Sequence, residues 1–117
     1  MHNYKELNIW KDAIKLVSEI YLITSKFPKQ EQFGLTNQIR RASVSIASNI
    51  AEGSARKSNL DFSRYLTIAI GSLYELQTQL LIAFNLGYLS SEEHSEIEMK
   101  FDVLNKMLYR FEKQLEL

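Results

Sequence analysis

The sequence predicts an all-α protein, an antiparallel up-and-down four-helix bundle, on three observations. Apolar residues recur at spacings of three and four along four separate stretches, the period of a helix face. Proline occurs once and glycine four times in 117 residues, which leaves long uninterrupted segments and disfavours a turn-rich β fold. The links between the second, third and fourth stretches are short, which makes those neighbours antiparallel.

The first helix is expected over about 7–26. Leu7, Trp10, Ile14, Val17, Tyr21 and Thr24 form one stripe, and Ala13, Leu16, Ile20, Ile23 and Phe27 a second. Phe27 precedes Pro28, a position that disfavours helical backbone, so the chain turns there and a polar stretch leads to Gly34. The second helix, about 35–55, carries a core stripe of Leu35, Ile39, Ala42, Ile46 and Ile50 or Gly53. Ser58 then reads as an N-cap for a third helix over about 59–86, with Asp61 completing an imperfect capping box. Its seam is Phe62, Leu66, Ala69, Leu73, Leu76, Leu80 and Ala83, and Gly87 stands where a C-terminal capping glycine belongs. The fourth helix, about 91–115, opens on the capping box Ser90–Glu93 and continues through Ile97, Phe101, Leu104, Leu108, Phe111 and Leu115.

Composition narrows function more than it defines it. Fourteen basic residues balance fourteen acidic ones, so global charge does not hold this chain to nucleic acid or to an anionic membrane. No cysteine is present, which removes disulfides, thiolate metal sites and cysteine nucleophiles and suits a cytoplasmic protein. The first residues lack a signal-peptide pattern, and Glu75, Gln77, Gln79 and Asn85 make the most apolar stretch too polar for a membrane span. His2 is expected in an unstructured terminus, and His94, beside Glu92, Glu93 and Glu96, in a solvated first turn. No catalytic, cofactor or metal constellation emerges, and the reading is a non-enzyme.

Several apolar residues lie off the four seams, among them Ile9, Leu16, Leu22, Ile23, Ile68, Ile70, Tyr74, Leu81, Ile82 and Phe84. A bundle this small does not cover both sides of so many stripes, so a homo-oligomer is expected.

Two polar patterns stand out. Gln38, Arg41, Ser45, Asn49, Glu52 and Arg56 share one face of the second helix, and Arg64, Thr67, Gly71 and Glu75 one face of the third. Antiparallel register about the connecting turn would set Arg41 against Glu75, Ser45 against Gly71, Asn49 against Thr67 and Glu52 against Arg64. That is a hydrogen-bonded seam with Gly71 at a close helix crossing, read as fixing register ahead of binding a ligand. Separately, Arg40, Arg41, Arg56, Lys57 and Arg64 concentrate positive charge around the second helix and its turn. Arg40, Arg56, Lys57 and Arg64 are therefore candidate contacts for phosphates or for a protein partner.

The stretch Leu35-Thr-Asn-Gln-Ile-Arg-Arg-Ala-Ser-Val-Ser-Ile-Ala-Ser-Asn-Ile-Ala-Glu-Gly53 resembles the 23S rRNA intervening-sequence protein family. The likeness continues through Ser58, Phe62, Leu66, Ala69, Gly71-Ser72-Leu73, Glu75-Leu76, Gln79-Leu80 and Leu86-Gly87-Tyr88-Leu89. The resemblance implies a bacterial four-helix bundle assembling as a ring, typically a homopentamer, with unsettled molecular function. Accessory proteins of diversity-generating retroelements look like relatives and bind nucleic acid and a reverse transcriptase. This chain departs from them in its balanced charge and in Ile70, where the family frequently has arginine, and both departures count against RNA or DNA binding.

Overall fold

The computed structural model describes residues 2–117 as four helices, α1 (Asn8–Thr24), α2 (Leu35–Ser54), α3 (Asn59–Asn85) and α4 (Ser91–Gln114). No strand occurs among the described residues. Each helix packs on its sequence neighbours and α4 returns to α1, so the order around the bundle is α1, α2, α3, α4. The interface of α2 with α3 is the broadest, and that of α4 with α1 the sparsest. The bundle measures 44 by 25 by 20 Å.

The core forms where the apolar stripes meet. Every residue of the α3 seam, Phe62 through Ala83, is buried, as are Ile97, Phe101, Leu104 and Leu108 of α4. On α1 the second stripe wins: Ala13, Leu16, Ile20 and Phe27 are buried, joined by Ile9, whereas of the first stripe only Thr24 is buried and Ile14 and Tyr21 are exposed. From α2 come Ile39, Ala42, Ile46, Ala47 and Ile50, with Gly53 ending the stripe. At Gly53 the α2 backbone packs directly against α3. A Cβ added there would lie 2.6 Å from Tyr65 Cβ and 2.8 Å from Phe62 Cδ1.

The helix ends are closed by local chemistry. Ser58 accepts from the Asp61 amide, and α3 ends on Gly87 at φ 81°, a left-handed turn that suits glycine. There the Tyr88 and Gly87 amides return to the Ala83 and Phe84 carbonyls in a Schellman arrangement. Glu31, in a short 3-10 turn, accepts from the Leu35 amide at the start of α2 and from the Tyr88 hydroxyl at 2.9 Å. The Tyr88 phenol is held above its ordinary pKa, first because ionising it would lose the hydrogen bond it donates to Glu31, then through desolvation and the repulsion of two anions. Membrane-spanning length and apolarity are met by α3, contrary to the expectation from its polar residues, but its apolar seam is consumed by the core.

Ser90 and Glu93 form a complete capping box at α4. Lys26 of the α1 end also reaches Glu93, at 2.6 Å, and with the Ser90 amide it holds the carboxyl below the usual carboxylate range. A lowered folded pKa contributes stability above the ordinary value of 4.5, lost as pH falls through the folded value. Ser90→Ala is expected to cost ~1 kcal/mol in urea unfolding. Glu93→Gln should flatten the acid limb of the stability–pH curve, and an unaltered limb would contradict the assignment.

Candidate interaction surfaces

The basic residues singled out in the sequence do not form one patch. Arg40 stands about 21 Å along α2 from its last residue, Ser54, at ~1.5 Å per residue, and Arg56 lies beyond that end. Arg40 is held against α1: its Nε donates to Thr24 Oγ1 at 2.9 Å and its guanidinium lies 4.5 Å from the Tyr21 ring centroid. Arg56 donates to the Tyr65 hydroxyl at 2.6 Å and covers that ring. Arg64 pairs with Asp61 at 2.9 Å. Lys57 is exposed at the α2–α3 turn. Asp61 offsets the charge of Arg64, whereas the hydroxyl and ring contacts of Arg40 and Arg56 fix those guanidinium groups in place without neutralising them.

The polar seam lies on the outside of the α2–α3 hairpin, and its register differs from the expected one. Ser45 meets Ser72 rather than Gly71, at 2.9 Å between hydroxyls, and Asn49 donates to the Ser45 carbonyl and hydroxyl. Thr67 turns to its own helix and bonds the Ser63 carbonyl. Neither expected ion pair forms within the chain: Arg64 takes Asp61 instead, and Arg41, Glu52 and Glu75 are exposed, as is Gln38. Gly71 is not at a crossing; a Cβ there would meet nothing within 4 Å. The physical reason is a competition of faces. The apolar stripe of α2 claims the contact with α3, and the polar stripe, rotated from it around the helix, is left at the rim.

The result is a low, outward face of small residues, Ser45, Ser48, Gly71 and Ser72, flanked by Val44 at 40% and Ile68 at 51% exposure. Arg41 and Glu75 stand at one end of it without an ionic partner among the described residues.

A second surface was not singled out in the sequence. Because α1 and α4 touch sparsely, a groove of about 460 Å³ opens between them. Leu16 and Leu104 form its floor, Met99 and Val103 its apolar lip, and Asp12, Lys15, Glu19, Glu96 and Lys100 its charged rim. Glu19 and Lys100 join across it at 2.6 Å. A signal existed: Met99 and Val103 are four apart and off the α4 core stripe, a short second apolar face.

Both histidines depart from expectation. His2 is docked on the bundle end: its amide donates to the Ser54 carbonyl at 3.0 Å, and its ring lies 5.0 Å from Phe62 and 3.1 Å from Asn59 Oδ1. His94 is stacked flat on Phe84, with ring centroids 4.6 Å apart. Among the described residues, no three His, Asp or Glu side chains converge as metal ligands.

Residues 5–110 match the family described as 23S rRNA-intervening sequence protein. The fold is similar to the crystal structure of a protein of unknown function from the S23 ribosomal protein family of Bacteroides thetaiotaomicron. The two are 23% identical with a TM-score of 0.83, over 91% of this chain and 96% of that one. No functionally curated protein matches the sequence.

Proposed function

The chain belongs to the 23S rRNA-intervening sequence protein family, and from that premise we propose that it is a non-enzymatic, cytoplasmic homo-oligomer, a five-membered ring serving as an interaction scaffold for protein or ribonucleoprotein partners. The observation that carries this reading is Gly71. A glycine inside an exposed helix costs ~1 kcal/mol relative to alanine, and close approach of another backbone is the usual compensation. Within the chain nothing lies near enough to need the missing side chain. The face around it is low and partly apolar, and it ends on Arg41 and Glu75, which have no ionic partner among the described residues. A second copy supplies what is missing: a backbone for Gly71, burial for Val44 and Ile68, and opposite charges for the pair.

Sedimentation tests this directly. The wild-type chain is expected to run as a discrete oligomer rather than at its monomer mass of 13.6 kDa. Gly71→Leu should keep its helicity, because the added side chain points into open space, yet lose the assembly. A monomeric wild type, or a Gly71→Leu variant that still assembles, would remove the reading.

Direct RNA or DNA binding is a second reading, favoured by one feature. Arg56, Lys57 and Arg64 all belong to the same end of the bundle, so a ring would repeat them around one rim. If phosphates are contacted there, affinity for a single-stranded RNA should fall steeply between 50 and 200 mM salt, as counterion release requires (roughly 0.7 log units per log unit of salt for each contact). Absence of binding at low salt ends this alternative.

A further inference from the structure

Resting on the oligomer reading, we propose that the contact is heterologous: the α2–α3 face of one copy seats in the α1–α4 groove of the next. The order α1, α2, α3, α4 around the bundle puts these surfaces on opposite edges. A rotation about an axis parallel to the bundle therefore brings α2 of one copy beside α1 of the next, and α3 beside α4. Each element of one surface then meets a complement on the other.

Level along the bundle is the first match. Arg40 bonds Thr24 and covers Tyr21, which sets α2 against α1; Ser45 with Ser72 sets α2 against α3; Glu19 with Lys100 sets α1 against α4. By these marks Arg41, Glu75 and the Glu19–Lys100 pair stand within ~5 Å of a common height, about one helical turn. In the docked pair Arg41 meets Glu19 of the next copy, and Glu75 meets its Lys100. The four charges alternate in sign around a square, so Arg41 and Glu75 gain an ionic partner and Glu19 and Lys100, already paired with each other, gain a second. The reverse pairing, face on face, would leave the groove open.

Shape is the second match. Ser45, Gly71 and Ser72 let the hairpin approach closely, while Val44 and Ile68 stand proud at 40% and 51% exposure. The groove offers about 460 Å³ over Leu16 and Leu104, with Met99 and Val103 exposed at 67% and 55% to close over the entrant. A bundle edge 44 Å long and 20–25 Å wide projects at most on the order of 900 Å², room for the ~800 Å² per partner of a stable interface only if nearly the whole edge is used. A head-to-tail contact of this kind closes as a ring if its rotation divides a full turn, and otherwise grows as a filament.

Complementation separates this from every face-to-face arrangement. Gly71→Leu blocks the face and leaves the groove; Val103→Glu charges the groove lip and leaves the face. Each variant alone should sediment as a monomer with wild-type helicity. Mixed at equal concentration, they retain one competent contact between them and should form a 1:1 heterodimer that grows no further. If Val103→Glu and a second groove variant, Met99→Glu, remain assembled like wild type, the groove is not the partner surface, although the oligomer reading survives. A mixture that stays monomeric overturns the proposal equally. A monomeric wild type would instead remove the oligomer itself.

Discussion

Replacing Gly53 with leucine is expected to break the α2–α3 hairpin, with a loss at or beyond the ~3 kcal/mol upper range typical of overpacked cores. The residue is buried against α3, and its missing Cβ would fall 2.6 Å from Tyr65 Cβ and 2.8 Å from Phe62 Cδ1. Neither is the tip of a flexible chain. Tyr65 Cβ is fixed to the α3 backbone, and the Phe62 ring is packed against Phe111 at 5.5 Å and His2 at 5.0 Å. Relief therefore needs a shift of α3 itself, which carries the whole central seam. Alanine is the finer probe: its ~1 kcal/mol gain in helix propensity opposes the clash. Gly53→Ala should still destabilise, whereas Gly71→Ala, in open space, should stabilise the isolated subunit. Urea unfolding of both variants, under conditions where the chain is monomeric, checks the opposite signs; equal signs would contradict the packing described.

Truncating Phe101 to alanine should cost ~3–5 kcal/mol, the range for a buried aromatic whose cavity refills only partly. Phe101 is fully buried in the α4 stripe between Ile97 and Leu104, and its neighbours are helix-borne side chains with limited freedom to collapse inward. Domains of this size are stabilised by only ~5–15 kcal/mol in total. The variant is therefore expected to show a large drop in melting temperature, or no cooperative transition at all. Asp102→Ala, one residue on and exposed, provides the control and should change stability by at most ~0.5 kcal/mol. A small effect at Phe101 would mean that α4 is less firmly docked than its burial implies.

The candidate surfaces were partly legible in the sequence. That surplus apolar residues would remain outside the core followed from counting stripes, and Leu22, Ile68, Tyr74, Leu81 and Ile82 are exposed. Ile9, Leu16 and Ile70 are buried, because the core stripes of a short bundle are wider than one seam. The polar residues of α2 and α3 do share a rim, but the partners assigned to them by antiparallel register were wrong. An index offset of a single residue moves Ser45 from Gly71 to Ser72, and it leaves Arg64 closer to Asp61 on its own helix than to Glu52. His2 escaped notice because what holds it, the Ser54 carbonyl, Asn59 and Phe62, comes together only when the ends of α2 and α3 converge on the N-terminal segment.

By itself, the sequence determined what depends on neighbours within a few residues. The helical period, the Ser58 cap, the Ser90–Glu93 box and the left-handed Gly87 are all local, and so are the seams of α3 and α4. Tertiary structure decided which of two competing stripes on α1 entered the core, and which glycine sat at a crossing. It also decided that Arg40 and Arg56 would each be taken up by a tyrosine, and that α1 and α4 would part far enough to leave a groove. The physical reason is that apolar burial is a contest among whole faces, won by the arrangement that removes most surface from water. A polar residue's partner is set only after that contest, by whatever the winning arrangement brings within ~3 Å of it.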